Sequence, residues 1–91
     1  MKFEWEGRKA NANLRKHRLD FEEASSVFED PLALTFLDED HSVDERREIT
    51  IGCTMKQRVV FVSHCSRGGT FRIISARFAT NSERQQYEEG T

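Results

Sequence analysis

The sequence predicts an α+β fold in which an antiparallel β-meander carries two helices before it and one after it. Three observations predict this arrangement. Apolar residues recur at helical spacing in the first third of the chain, their period then changes to two, and a capped helical segment follows the last alternating stretch. Because 91 residues are enough for one hydrophobic core, we expect a single domain over residues 1–91.

The chain begins with a predicted strand and a predicted helix. Phe3 and Trp5 alternate with charged residues, so residues 2–5 are predicted to form a short strand. Good helix formers dominate residues 8–18, and their few apolar side chains fall at the spacing of one helix face. This segment is therefore predicted to be a helix with a thin apolar side.

A second helix is predicted over residues 21–29. Asp20 is a good N-cap, and Glu23 three residues later completes a capping box. We expect the helix to end at Asp30-Pro31, because a residue that precedes proline disfavours the α conformation.

A period of two identifies the strands of the sheet. An acidic turn follows the first of them, and a glycine-rich turn at Gly68-Gly69 joins the last two. A closing helix over residues 82–89 is capped by Thr80 or Asn81. We expect four strands, over residues 32–37, 46–54, 58–65 and 70–78.

The predicted element order is β-α-α-β-β-β-β-α. We expect the helices to pack on one face of the meander, since a sheet and its helices must bury apolar surface against each other. The other face of the sheet would then be available for a ligand, and the basic residues are expected there.

Charge is unevenly distributed along the chain, although the net charge is only −2. Residues 20–48 hold eleven Asp or Glu against two Arg, whereas residues 49–82 hold five Lys or Arg and no acid. An acid-free basic stretch indicates an anionic ligand such as nucleic acid. The alternative is that the basic stretch forms ion pairs with the acidic one. The sequence leaves both open.

The cysteines and the hydropathy indicate an intracellular protein. In the predicted hairpin, Cys53 faces a residue near position 59 and not Cys65, so we expect two free thiols and a reducing, cytoplasmic environment. No stretch approaches the ~20 apolar residues of a membrane helix, and no signal peptide is evident. His41, His64 and Cys65 lack metal-ligand spacing, so no metal is expected. Gly68-Gly69 alone is no phosphate-loop signature, so no nucleotide cofactor is expected.

Many residues in order along the chain resemble the BrnT toxins of type II toxin–antitoxin systems. In the second half they include Arg47 ahead of Thr50-Ile51-Gly52 and the strand that ends at His64. The remaining matches are Phe3-Glu4-Trp5-Glu6, Lys9, Asn13, Lys16-His17, Phe21 to Ala24, Val27-Phe28, Asp30-Pro31, Arg72 to Arg77, Ala79, Glu83 and Tyr87. Arg18 departs from the family, which usually has glycine there, and Glu6 replaces the more usual aspartate.

The resemblance implies a RelE-like fold and a ribonuclease activity that halts translation. It also implies neutralisation by a BrnA-like ribbon-helix-helix antitoxin, and contact with DNA only indirectly, through that antitoxin. On this interpretation the chain is a metal-independent endoribonuclease with RNA as its substrate.

Metal-independent RNA cleavage needs a base, an acid and fixed positive charge on the phosphate. If the last hairpin turns at Gly68, His64 lies opposite Arg72, with Glu48 near His64 on the neighbouring strand, which makes a Glu–His–Arg row. A slip of one residue would instead bring Arg77 and Phe71 to the ligand side. The register is open, so both arginines are candidates.

Other residues complete the candidate site. Tyr87 could lean over it from the last helix, as the resemblance suggests, or could pack against the core. His41, in the acidic turn, is expected to be solvated. The candidate catalytic residues are Glu48, His64, Arg72, Arg77 and Tyr87, and the candidate RNA-binding residues are Lys9, Lys16, Arg47, Lys56 and Arg67.

Two other functions remain possible on the same fold. A non-catalytic nucleic-acid-binding module would share the basic face without needing an acid and a base. A protein-interaction subunit would use the basic strands to receive an acidic partner.

Overall fold

A computed structural model describes residues 1–90. It has five strands and three α-helices, and the element order predicted from the sequence is confirmed. Short 3₁₀ helices at Ser26–Glu29 and Glu39–His41 complete the described chain. The elements are β1 (Lys2–Glu4), α1 (Gly7–His17), α2 (Phe21–Ser25), β2 (Leu34–Leu37), β3 (Glu48–Cys53), β4 (Val59–Arg67), β5 (Thr70–Phe78) and α3 (Asn81–Glu89).

The five strands form one mixed sheet in the order β1-β5-β4-β3-β2. Strands β2 to β5 make the predicted antiparallel meander, but β1 runs parallel to β5, so the expectation of a purely antiparallel sheet is wrong. No tight turn connects β1 to its neighbour in the sheet. The sequence around β1 therefore carries no turn signal that would set its direction.

Apolar clusters lie on both faces of the sheet. On one face α1 and α2 cover a cluster that includes Phe21, Val62 and Ile73. On the other face Tyr87 of α3 packs on Ile49 and Ile51 of β3. The expectation that the helices share one face is therefore wrong, because α3 packs opposite the other two helices.

The helix starts are those that the capping residues predict, but the expected capping box at α2 is wrong, because the Glu23 carboxylate bonds to Thr54 and Arg58 and not to the Asp20 backbone. The Asp20 side chain accepts a hydrogen bond from the Glu23 backbone N–H at 2.7 Å, and Thr80 and Glu83 form a reciprocal capping box at α3. The predicted helix over 21–29 is shorter as an α-helix, because its last turn tightens into the 3₁₀ helix. This tight turn packs closely on the sheet at Gly52, where a Cβ would lie 3.0 Å from that of Val27.

Buried polar side chains fasten the helices to the sheet. The Asn13 side-chain amide bonds both backbone groups of Ala76, donating to its carbonyl at 2.8 Å and accepting from its N–H at 3.1 Å. On α2, buried Glu23 accepts hydrogen bonds from Thr54 and Arg58 at the β3–β4 turn. Arg58 and Thr54 hold the pKa of Glu23 below its usual value despite burial.

Both cysteines are free thiols, as predicted, since Cys53 pairs with Val59 across the hairpin. Among residues 1–90, no helix is both long enough and apolar enough to cross a lipid bilayer.

Candidate active-site groove

A register shift in the β4–β5 hairpin decides where its arginines lie. His64 pairs with Ile73 and Cys65 pairs with Arg72, and the ladder is interrupted between Ser63 and His64. The expectation that His64 and Arg72 lie directly opposite each other is therefore wrong. A one-residue irregularity of this kind moves every following side chain of a strand to the other face.

The shift brings Arg72 and Arg77 to the same face of the sheet. Their partners on β4 are Cys65 and Phe61, which are four residues apart and therefore share a face. Without an irregularity, two residues five apart on β5 would lie on opposite faces. This places both candidate arginines on the face that α1 and α2 leave uncovered.

Three adjoining depressions follow this face and form one groove, which we call the open groove. The first, of about 410 Å³, contains Lys9 and Arg72. The second, of about 430 Å³, contains Arg77 and shares His41 and Arg47 with the first. The third, of about 380 Å³, shares Arg77 with the second. The other polar residues along the open groove are Lys16, His17, Asp38, Asp40, Asp44, Glu45, Ser63 and Ser75.

Arg77 is the most firmly held cation of the open groove. Its guanidinium donates two hydrogen bonds to the Glu83 carboxylate, at 2.8 and 2.9 Å, and lies 3.9 Å from the centre of the Phe61 ring. The Glu83 carboxylate raises the pKa of Arg77, and Arg77 in turn lowers the pKa of Glu83. The positive charge at this position is therefore fixed in place by α3 and by β4.

Other cations of the open groove are more available to a ligand. Arg72 makes one contact with Glu4, at 3.3 Å, and both side chains are exposed enough that this pair contributes little stability. Within residues 1–90, Arg47, Lys9 and Lys16 have no carboxylate within ion-pair distance. These cations can therefore meet a phosphate without first losing a strong internal partner.

Internal ion pairing, the alternative left open by the sequence, also occurs. Each arginine of the acid-free stretch has a carboxylate partner, and these pairs are Arg58–Glu23, Arg67–Glu45, Arg72–Glu4 and Arg77–Glu83. The first two partners come from the acidic stretch and the other two from the ends of the chain. The positive charge of the open groove thus comes also from Lys9, Lys16 and Arg47, which lie outside the acid-free stretch.

His64 lies away from the open groove. It is 1% exposed, packs edge-on against Phe28 and Phe71, and its Nε2 is 2.7 Å from the Thr50 hydroxyl. Burial lowers the pKa of His64, although the charge of Glu48 acts in the opposite direction. Glu48 is opposite His64 as expected, but the pair lies on the face covered by α1 and α2, so the Glu–His–Arg row does not form.

Three other candidates lie outside the open groove. The Tyr87 hydroxyl donates to Asp30 at 2.6 Å, and burial with this bond raises the pKa of Tyr87 to about 12. Lys56 is in the β3–β4 turn, near Glu23. Arg67, at the end of β4, donates two hydrogen bonds to Glu45, at 3.0 and 2.6 Å.

The structure brings one unexpected pair to the open groove. His41 lines both the first and second depressions, and its Nδ1 lies 3.0 Å from a carboxylate oxygen of Asp38. The imidazole is exposed, as expected for a solvated residue. The sequence signal was the spacing Asp-x-x-His, because residues three apart come together in a single turn of 3₁₀ helix.

Comparison with known proteins gives the family. Residues 5–83 match the family model described as the ribonuclease toxin BrnT of type II toxin–antitoxin systems. The chain belongs to the BrnT family.

A solved structure agrees with this assignment. The fold of this BrnT-family chain is similar to the crystal structure of the Brucella abortus ribonuclease toxin BrnT, with a TM-score of 0.68 and 26% sequence identity. The similarity covers 89% of this chain and 99% of the Brucella chain. No curated protein matches the chain. The residues that line the open groove lie between Lys9 and Arg77, within the part of the chain that matches the BrnT family model.

Possible metal ligands do not cluster in the described part of this BrnT-family chain. Over residues 1–90, no three His, Cys, Asp or Glu side chains are grouped closely enough to hold a metal ion.

Proposed function

We propose that this BrnT-family toxin is a metal-independent endoribonuclease that cuts RNA in the open groove. The observation that carries the proposal is the convergence of Arg47, Arg72 and Arg77 on the face of the sheet opposite α1 and α2. Membership of a ribonuclease toxin family supports RNA as the anionic ligand.

The chemistry of the groove suits a phosphodiester. A guanidinium group stays charged and presents a planar fork of donors that matches phosphate oxygens. Arg77, which is anchored by Glu83 and Phe61, would hold its charge where negative charge develops on the phosphate. Arg47 and Arg72 would contact the same or the adjacent phosphate.

The ends of the groove supply further positive charge. Lys9 lies at the Arg72 end, and Lys16 lies at the Arg77 end. Phosphates that flank the cleaved bond would contact these lysines, which would position the strand without reading its sequence. Arg67 would add to this charge only after separating from Glu45.

The wider biology of the proposal follows the family. Cleavage of cellular RNA would inhibit translation in the cytoplasm, and a BrnA-like ribbon-helix-helix antitoxin would neutralise the toxin. The toxin would then contact DNA only through its antitoxin. Kinship of the fold with RelE remains a prediction.

The first experiment measures RNA cleavage by the purified protein in the presence of EDTA. We expect cleavage to persist in EDTA, and we expect Arg77→Ala and Arg72→Ala each to lower the rate by on the order of 10²- to 10³-fold, the effect of removing one donor to the transition state. Arg84→Ala is the matched control, because Arg84 is exposed on α3 and pairs with Glu88.

Expression in cells completes the test. The parent and Arg84→Ala should arrest growth, whereas the two groove variants should relieve the arrest. Retention of labelled RNA without cleavage would instead identify a non-catalytic binding module. Equal activity of all four proteins would refute the proposed site.

A further inference from the structure

The centre of the open groove holds a histidine that has no assigned role. His41 and Arg47 are the two residues shared by its first and second depressions, which contain Arg72 and Arg77 respectively. A group at this position would lie beside a phosphate held by either arginine.

The contacts of His41 define which of its ring nitrogens carries the proton. Nδ1 lies 3.1 and 3.0 Å from the two carboxylate oxygens of Asp38. An ionised carboxylate can only accept hydrogen bonds, so in the neutral ring Nδ1 is the donor and Nε2 keeps its lone pair. A carboxylate that fixes the tautomer and the orientation of an imidazole is a recurrent arrangement in acid–base catalysis.

The two residues also differ in exposure, as a reacting group and its support should. The Asp38 side chain is 14% exposed and that of His41 is 65% exposed. The backbone carbonyl of Asp38 accepts from the Ser42 hydroxyl at 2.6 Å, and its backbone N–H donates to Arg47 at 2.9 Å. Asp38 is therefore held at the base of the turn, while the imidazole edge remains open to a substrate.

We propose that His41 is the general base of the RNA cleavage and that Asp38 is its positioning residue. This assignment rests on the proposed ribonuclease function. It gives the open groove the proton acceptor that its arginines and lysines cannot provide, since guanidinium and ammonium groups are hydrogen-bond donors without an acceptor.

The step balances as an internal transesterification. Nε2 of His41 takes the proton of the ribose 2′-hydroxyl as the 2′-oxygen forms a bond to phosphorus. The bond from phosphorus to the 5′-oxygen breaks, and solvent water supplies the proton that this oxygen takes up. The products are a 2′,3′-cyclic phosphate and a 5′-hydroxyl, and the proton on His41 returns to solvent.

The other histidines fit this role less well. His64 is buried on the opposite face, between Phe28 and Phe71. His17 lines the third depression beside Arg77 but has no carboxylate partner among the contacts of residues 1–90. His17 is therefore the rival candidate that the experiment must separate from His41.

The test measures single-turnover cleavage of a 5′-labelled single-stranded oligoribonucleotide, and measures binding separately with its uncleavable 2′-O-methyl analogue. His41→Ala should lower the cleavage rate by about 100-fold or more, the usual contribution of a general base, with binding of the analogue unchanged. Added imidazole should restore part of the rate of His41→Ala. His41→Gln, which can still bond to Asp38, should be as slow and should fold as the parent does.

Three further variants test the positioning role of Asp38 and the turn around it. Asp38→Ala should lower the rate without weakening binding of the analogue, and Asp38→Glu should recover part of the loss. Glu39→Ala is the matched control, because Glu39 is exposed in the same 3₁₀ helix and lines none of the three depressions.

The outcomes separate this inference from the proposed function. If the parent does not cleave RNA, the proposed function fails and the role of His41 falls with it. If the parent cleaves and His41→Ala cleaves within about threefold of it, only the inference is overturned. Loss of rate in His17→Ala alone, or a loss in His41→Ala that is matched by weaker binding, would also overturn it.

Discussion

At the scale of single residues, two side chains with the same chemistry have different roles because of their partners. Arg77 is fixed by a bidentate ion pair and by an aromatic ring, whereas Arg72 has one long, exposed contact. His41 and His64 differ in the same way. One is open to solvent beside a carboxylate, and the other is sealed between two phenyl rings.

The backbone conformation of Arg18 predicts how a substitution there changes stability. This residue ends α1 in the left-handed conformation, with φ 59° and ψ 33°, where a side chain costs about 1 kcal/mol and glycine does not. Arg18→Gly should therefore raise the free energy of unfolding by about 1 kcal/mol, or Tm by roughly 4–8 °C. Denaturant unfolding measures this, with Arg15→Gly as the control.

The control should move the other way. Arg15 is an exposed residue in the last turn of the same helix, where glycine costs about 1 kcal/mol. If both glycine variants lose stability equally, the end of α1 is not strained at Arg18.

The burial of His64 predicts that the free energy of unfolding depends on pH. Its pKa in the folded protein lies below the ordinary 6.5, so the unfolded chain takes up this proton first as the pH falls. The contribution of His64 to the free energy of unfolding is complete above pH 6.5. It is lost as the pH falls from 6.5 to the lower pKa of the folded state, and the free energy of unfolding then changes by up to ~1.4 kcal/mol per pH unit. His64→Phe, which retains an aromatic ring between Phe28 and Phe71, should remove this slope.

The measurement is urea unfolding at a series of pH values from 4.5 to 8 in the parent and in two variants, roughly spanning the region where histidine titrates. Ile73→Val is the control, since Ile73 pairs with His64 but does not titrate. It should lower stability by roughly 0.5–1.5 kcal/mol at every pH and keep the slope. An unchanged slope in His64→Phe would show that burial of this imidazole is not its cause.

At the scale of elements, local patterns predict the helices and strands well. Asp20, Glu23 and Thr80 mark helix starts through hydrogen bonds to nearby backbone groups, and such short-range signals are visible in the sequence. The direction of β1 and the register shift at Ser63 depend on contacts between distant segments. Alternation alone cannot reveal either of them.

The candidate site likewise has features that local sequence patterns predict and features that they do not. The sequence predicted Arg47, Arg72, Arg77, Lys9 and Lys16 as candidates from charge and family likeness, and the structure brings these five to one groove. It could not predict which face each strand residue takes after an irregularity. The Glu48–His64–Arg72 row was lost for that reason. The Asp38–His41 pair was missed because the acidic turn was interpreted as solvated.

The close approach of the 3₁₀ helix to β3 gives the element-scale prediction. A Cβ at Gly52 would lie 3.0 and 3.1 Å from the Cβ atoms of Val27 and Ala33, which cannot rotate away. Gly52→Ala should therefore lower the free energy of unfolding by about 1–3 kcal/mol through overpacking. Thermal unfolding measures this against Gly7→Ala.

Gly7 is the matched glycine at the start of α1. Its added Cβ would meet nothing within 4 Å, so Gly7→Ala should be neutral or slightly stabilising. Equal stability of both alanine variants would mean that the 3₁₀ helix can move off the sheet at little cost.

At the scale of the whole molecule, the net charge of −2 conceals a division of the surface. Buried or partly buried acids such as Glu23 and Asp30 hold the helices and turns together. Cations from α1, β5 and the segment before β3 converge on the open groove, where they outnumber the lining acids Asp38, Asp40, Asp44 and Glu45 by five to four. A polyanion can bind beside these cations although the average charge of the protein would repel it, because binding depends on local potential.

The measurement that tests this account most directly is an NMR titration of the ¹⁵N-labelled protein with an uncleavable 2′-O-methyl oligoribonucleotide. We expect the backbone amide signals of the open groove to shift, at Arg47, Ser63, Ser75 and Arg77 above all. The signals of Phe28 and Val27, on the face covered by α1 and α2, should stay in place. Shifts confined to that face, with none along the groove, would contradict the account.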